Sequence, residues 1–364
     1  MLSTLALFRR RLLSWFDRSQ RRLPWRVDDR DGVAPDPYHV LVSEAMLQQT
    51  QVATVIPYFR RFVERYPSLS DLAAANEQDV LRMWQGLGYY SRARHLLAAA
   101  KTVVAHHGGR LPRERDALLR LPGVGRYTAG AVASIAFGRR APILDGNVTR
   151  VLCRVDRVES DPRDRATQEL LWRRAEEVLP TKRVGAFNTA LMELGATVCA
   201  PRSPQCLLCP VRGHCEAFAA GVQEKIPAPR KAQPTPLLRR ATFCIRRGDR
   251  WLVEQRPPAG RWAGMWQFVT VPAGESADAS SLRGRLPVGT TAPRRLGAVT
   301  HGLTHRRYHF DVFACECEPQ AAEAEQTGPV PRVWTTLEQL SAYPLPRPHV
   351  KVCELLRALE PAPS

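Results

Sequence analysis

Apolar residues recur at helical spacing through roughly residues 1–220 and at strand spacing beyond them. Leu5, Phe8, Leu12, Trp15 and Phe16 share one face of a helix predicted over 1–20. Leu23-Pro24-Trp25-Arg26 interrupts it, followed by a polar turn region from Asp28 to Pro37. From Tyr38 the helical period resumes, with Val40, Leu41, Ala45, Met46, Val52, Ile56 and Tyr58 in step. Further helices are predicted at 57–66, 76–84, 91–107, 114–120, 146–157, 164–179 and 185–197, separated by Pro and Gly signals. Thr128 to Phe137 reads as a short helix with a small-residue face, so everything to about residue 220 is expected to be all-α.

Residues 221–236 then carry Pro227, Pro229, Pro234 and Pro236 beside Arg230 and Lys231, the composition of an extended linker. Past it the segments shorten and alternate, predicting strands at Ala241–Ile245, Trp251–Gln255, Gln267–Val271 and His309–Cys317. A final helical period covers His349 to Leu359. The second part is expected to be a smaller α+β domain, and no internal repeat is visible.

A chain of 364 residues with 44% hydrophobic composition supports two or three packed domains. Lys plus Arg number 53 against 35 Asp plus Glu, a formal charge of +18 that favours a polyanionic partner, nucleic acid first and an anionic membrane surface second. No apolar run reaches 18 residues, so no membrane span is expected. Met1 to Phe16 bears arginines and no small-residue cleavage site, which argues against a secretory signal and fits a plain helix in a cytoplasmic protein better than the alternative of a transit peptide. Of nine cysteines, five are scattered and four fall at Cys199, Cys206, Cys209 and Cys215. Four thiolates in one short stretch can close on a single metal centre in a reducing cytosol. The spacing alone does not separate tetrahedral zinc from an iron–sulfur cluster.

Candidate chemistry centres on Leu121-Pro122-Gly123-Val124-Gly125-Arg126-Tyr127, followed by Leu144-Asp145-Gly146-Asn147. The two glycines permit a tight turn, and a turn opening onto a helix N-terminus presents N–H groups to a phosphate. An ordinary helix–helix turn is the plain alternative. Glu44 sits among Ala45, Met46 and Leu47, where desolvation would raise its pKa. A salt-bridged helix residue is its alternative, and an N-cap is that of Asp145.

The Gly/Pro-rich turn with its following aspartate resembles the helix-hairpin-helix base-excision DNA glycosylases. Ser43-Glu44-Ala-Met-Leu-Gln48-Gln49-Thr50-Gln51-Val52 narrows the resemblance to the MutY-type adenine DNA glycosylases. It covers nearly the whole chain. It implies a mainly α N-terminal glycosylase domain (1–220), comprising a six-helix barrel over 21–140 and an iron–sulfur cluster domain made from 1–20 and 141–220. A linker (221–236) and a C-terminal α+β Nudix-like domain (237–359) complete the fold. Gly264-Met265-Trp266-Gln267-Phe268 carries the Nudix likeness, but the Glu-rich helix that holds Mg²⁺ in Nudix hydrolases is missing, and a lone Glu275 cannot replace it.

By the same resemblance, Glu44 is the acid that protonates adenine and Asp145 the anion beneath the sugar, with Asn147 holding the pair. Such a division suits glycosidic cleavage, which needs a protonated leaving base and a stabilised cation. Tyr127 stands where strand-cutting members carry a Schiff-base lysine, which implies a monofunctional enzyme. A buried core tyrosine is the alternative. Gln49 and Tyr89 match the residues that intercalate when the base is flipped, Thr50 and Leu87 line the strand beside them, and Gly123 and Gly125 meet DNA. Helix packing is a rival reading for Leu87. Trp25 and Arg26 match the adenine-pocket segment, although six extra residues around Gly32 separate them from Glu44. Leu303, Thr304 and His305 occupy the place of the loop that meets 8-oxoguanine. Cys199, Cys206, Cys209 and Cys215 match the ligands of one [4Fe–4S] cluster. The implied partner is double-stranded DNA holding an A:8-oxoguanine or A:G mispair, bound by a monomer. A pyrimidine-directed endonuclease III-like lyase and a non-enzymatic iron–sulfur DNA-binding or redox-sensing protein are the rival functions.

Overall fold

The computed structural model describes residues 2–27, 34–229, 234–274, 279–303, 305–319 and 330–359. Packing divides the chain into two units, one built from 1–75 with 91–231 and the other from 76–90 with 232–364. No helix among the described residues is long and apolar enough to cross a membrane.

The first unit is helical. Its elements are α1 (Leu2–Ser19), α2 (Pro37–Leu47), α3 (Val52–Arg65), α4 (Leu69–Ala73), α6 (Ser91–His107), α7 (Arg115–Leu119), α8 (Arg126–Ala131), α9 (Gly146–Val155), α10 (Arg165–Glu177), α11 (Val184–Thr197) and α12 (Glu216–Ala219), with α5 (Glu77–Met83) lying in the second unit. The predicted face of α1 is the one that packs: Phe8, Leu12 and Phe16 enter the core formed by Val148, Val151 and Leu152 of α9 and Phe187 and Leu191 of α11.

Three local expectations need correction. The helical period from Tyr38 to Tyr58 is two helices, because no apolar residue occupies 48–51 and Gln49 turns into the left-handed region at φ 57°. Gln51 then caps α3 without a side-chain bond. The short helix after Tyr127 widens into a π-helical turn at Val132–Ala136. Residues 221–229 are not a bare linker, since Ile226 is buried in the helical core and its carbonyl accepts from Arg154 Nε at 2.8 Å. Residues 230–233 of that stretch lie outside the described residues.

The second unit holds a six-stranded sheet among the described residues, in the order β4-β5-β1-β3-β2-β6. The strands are β1 (Leu237–Arg247), β2 (Arg250–Gln255), β3 (Trp266–Pro272), β4 (Arg294–Leu303), β5 (Arg306–Glu316) and β6 (Arg332–Thr335). β1 and β5 pair in parallel, Leu237 opposite Arg307 through Arg246 opposite Glu316, and the remaining neighbours are antiparallel. Both faces are covered at the centre of β1, where Ala241 to Ile245 are buried without a break. Phe243 and Ile245 enter one core, while Cys244 enters another with Val352, Cys353 and Leu356 of α13 (Arg347–Leu359). β4 and β6 escape prediction: β4 is an edge strand broken by a bulge between Arg295 and Gly297, and β6 is four residues long. α5 (Glu77–Met83) belongs to this unit.

Candidate active site

A cleft of about 1390 Å³ in the helical unit is lined by Glu44, Tyr127, Asp145 and Asn147, with Trp25 and Arg26 also on its wall. Each side chain arrives for a local reason. Asp36 caps α2 by accepting Tyr38 N–H at 2.8 Å, and Pro37 opens the helix with its φ already set. The residues that follow are buried on nearly every side of α2, so Glu44 is carried into the core with them. At the far end, Arg92 of α6 donates to the carbonyls of Ala45 (2.8 Å) and Met46 (2.7 Å) and to Thr50 Oγ1 (3.2 Å). A guanidinium thus satisfies the orphan carbonyls of the last turn and fixes the chain as it leaves toward Gln49.

Glu44 Oε2 accepts the Tyr127 hydroxyl at 2.5 Å, and Met192 Sδ lies 3.2 Å from the same hydroxyl. Burial drives the Glu44 carboxyl from 4.5 up to about 7, against the Tyr127 hydrogen bond and the Arg26 charge, with Asp145 adding to the rise. Burial also lifts the Tyr127 phenol well above its ordinary value, so it remains a donor.

Asp145 caps α9, accepting Val148 N–H at 2.7 Å through Oδ1 and Asn147 Nδ2 at 3.0 Å through Oδ2. Burial raises this carboxyl too, but those donors and the Arg150 charge oppose the rise. Two carboxyl groups therefore share one cleft in different environments, the arrangement that separates an acid from an anion. Asn147 is held in turn by Arg150 Nη2 at 2.8 Å, which also reaches the carbonyls of Gly195 (2.8 Å, Nη2) and Cys199 (2.8 Å, Nε). A side chain at Gly195 would lie 2.6 Å from Asn147 Cβ, so α11 packs directly on that residue.

Arg26 faces Glu193, donating at 2.8 Å, while Arg21 grips the same carboxylate at 2.6 and 2.8 Å. Burial alone would raise Glu193, but the two guanidinium groups outweigh it and hold the carboxyl below its ordinary value. Trp25 packs edge-on against Phe59 with centroids 5.2 Å apart. Glu193, Arg21 and Arg150 were not anticipated. Glu193 carried the same signal as Glu44, a lone acid in an apolar helix (Ala190-Leu191-Met192-Glu193-Leu194).

Of the remaining candidates, Gln49 (φ 57°) is exposed and Thr50 half-buried. Tyr89 (φ 49°) is 44% exposed, whereas Leu87 is buried. Gly123 has φ 73°, but Gly125 is extended at φ −87° and needs no glycine for its conformation. Leu303 ends β4 opposite Arg306 of β5. His305 is exposed, and Thr304 and Glu275 lie outside the described residues.

Cys199, Cys206, Cys209 and Cys215 are all free of disulfides, and Cys199, Cys209 and Cys215 pack against the helical core. Arg154 Nη1 donates to Cys199 Sγ at 3.3 Å. Burial raises the Cys206, Cys209 and Cys215 thiols, Cys209 to about 12. Among the described residues, no three His, Cys, Asp or Glu side chains close on a single metal ion. The donor set, four grouped thiols beside a guanidinium, fits the ligands and outer hydrogen bonds of an iron–sulfur core.

A family model for HhH-GPD superfamily base excision DNA repair proteins matches residues 42–177, and one for NUDIX domains matches 241–355. A thermostable thymine-DNA glycosylase of known structure is 31% identical with a TM-score of 0.53, covering 60% of this chain and 98% of that one. The fold and the cleft thus define a helix-hairpin-helix DNA glycosylase with a Nudix-like second domain. The rat adenine DNA glycosylase is 38% identical, covering 93% of this chain and 75% of the relative. The human adenine DNA glycosylase is 37% identical over 97% of this chain and 74% of its own length. The chain belongs to the adenine DNA glycosylase family, hydrolases that release adenine in base excision repair.

Proposed function

We propose that the protein excises adenine lying opposite 8-oxoguanine or guanine in duplex DNA, and that it leaves the strand uncut. One observation carries the chemistry: the buried, hydroxyl-bonded Glu44 carboxyl shares a cleft with the capped Asp145 carboxylate. Glu44, neutral below about pH 7, gives its proton to a ring nitrogen of the flipped adenine. The glycosidic bond then breaks toward the base, and the Asp145 carboxylate stabilises the cationic sugar. Water adds to the sugar carbon and returns a proton to Glu44. Asn147 and Tyr127 hold the two carboxyl groups in these roles. Arg26 and Trp25, on the cleft wall, supply cation and ring to the adenine pocket. Gln49 and Tyr89, exposed residues held in left-handed backbone, fill the vacated stack. That strain is of order 1–3 kcal/mol per residue and is tolerated where function requires it. Gly123 and Gly125 carry the strand at the start of α8. Leu303, Thr304 and His305 meet the opposite base.

Tyr127 has no amine with which to form a Schiff base, which supports monofunctional chemistry. Lys182 also lines the cleft, so trapping must be tested on the unaltered protein. Duplexes with adenine opposite 8-oxoguanine, guanine or thymine should be cleaved only after alkali, and only for the first two. Nicking without alkali, borohydride trapping that Lys182→Ala abolishes, or equal release opposite thymine would overturn the reading.

Cys199, Cys206, Cys209 and Cys215 are proposed to hold a [4Fe–4S] cluster. When bound, such a cluster supplies positive charge that lets buried thiols ligate as thiolates and staples the loop around them. Purified protein should then contain about four irons per chain and absorb in the visible, and Cys209→Ser should lose both. One equivalent of zinc without colour would refute this assignment.

A further inference from the structure

α5 is seven residues long, too short to hold its geometry without packing, yet it leads into the turn that bears Tyr89. Within the second unit it is clipped to the sheet. The Gln78 amide donates to Gly264 O at 3.1 Å and accepts the Trp266 indole N–H at 3.1 Å. Gln85 Oε1 accepts Leu345 N–H at 3.3 Å. Gly264, at φ 72°, passes so close that an added Cβ would touch Glu77 Oε1 at 3.4 Å. Trp266 is itself fixed, its backbone N–H donating to Pro344 O at 2.9 Å and its ring edge-on to Tyr343 at 5.0 Å.

The clip continues into the turn. Trp84, capping α5, donates its indole N–H to Gly88 O at 3.2 Å, and Gly86 N–H donates to the Tyr90 hydroxyl at 3.3 Å. These bonds close a turn in which Gly86, Gly88 and Tyr89 all take positive φ. A tyrosine resists that conformation, so surrounding contacts must impose it.

We propose that Gln78 and Trp266 are positioning residues through which the sheet unit sets the Tyr89 turn in its DNA-inserting form. The inference rests on the reading of Tyr89 as an intercalating residue. It gives the second unit a part in flipping adenine that is separate from reading the opposite base.

The test is a double-mutant cycle in the full-length protein on a duplex with adenine opposite guanine. Two readouts are followed: single-turnover adenine release, and fluorescence of a 2-aminopurine beside that guanine, which rises when insertion unstacks it. Gln78→Ala should lower release by about ten-fold, as loss of two hydrogen bonds would, and blunt the fluorescence rise. Trp266→Phe, which removes only the indole donor and keeps a ring on Tyr343, should cost about three-fold. In a Tyr89→Ala background both should add less than about two-fold, because they act through the missing ring. Full additivity on that background, or no effect of either change while Tyr89→Ala impairs both readouts, would overturn the inference alone. If Tyr89→Ala changes neither readout, the intercalating role falls and the inference with it.

Discussion

Replacement of Glu44 by Gln or of Asp145 by Asn is expected to slow single-turnover adenine release on the order of 10³-fold or more, with duplex binding nearly unchanged. Both substitutions keep shape and hydrogen-bonding capacity, so the loss isolates proton donation in one case and charge in the other. The pH profile separates them further. Glu44 must be protonated to act, and burial places its pKa at about 7, so release by the unaltered protein should fall as pH rises through about 7. Asp145→Asn should keep that limb on a much lower baseline, whereas Glu44→Gln should lose it. The same shift governs stability. A carboxyl raised from 4.5 to about 7 on folding contributes stability that is fully present below 4.5 and lost as pH rises through about 7. Glu44→Gln should therefore melt higher than the parent at pH 8 and not at pH 4. Near-parental release by either variant, or a flat parental profile between pH 6 and 8, would remove the acid–anion assignment.

The second large effect falls on the turn before α8. At Gly123 the backbone has φ 73°, and a Cβ there would stand 2.3 Å from Cβ of His95. The neighbouring atom is the root of a side chain on α6 and not a flexible tip, so the helices themselves must shift. Left-handed strain and overpacking together make Gly123→Ala destabilising by about 3 kcal/mol, or a melting shift of roughly 6–12 °C. Gly125 offers the contrast, since a Cβ there meets nothing within 4 Å. Gly125→Ala should leave the melting temperature within about 1 °C of the parent. A loss of duplex affinity without a loss of stability would then place Gly125 against DNA. Equal melting for all three proteins would show that the turn tolerates a side chain at both positions.

Much of the helical unit was legible because its helices bury one face, and burial writes itself into local periodicity. Phe8, Leu12 and Phe16 on α1 needed no partner to be recognised as a core stripe. Glu44 was legible for the opposite reason: an acid surrounded by Ala45, Met46 and Leu47 breaks a pattern that otherwise predicts burial. Asp145 capping α9 and the grouping of four cysteines are also local facts, carried by a few consecutive residues. What lay beyond reach were partners distant in the chain. The Arg92 cap on α2 joins residues more than forty positions apart, and Arg21 and Arg26 meet Glu193 across more than 160. Spacing within one helix says nothing of which helix will face it. The edge strands β4 and β6 were hidden because strands with few buried residues leave little alternation to read. The same limit explains α5: its own pattern is that of any short helix, and its bonds within the second unit, Gln78 to Gly264 and Trp266 and Gln85 to Leu345, join residues far apart in the chain. Residue chemistry and the periodicity that marks each helix's apolar face were determined by the sequence itself. Which groups meet, and hence how burial and hydrogen bonds treat each carboxyl, was decided by tertiary packing, because desolvation and hydrogen-bond partners exist only once the helices have closed around them.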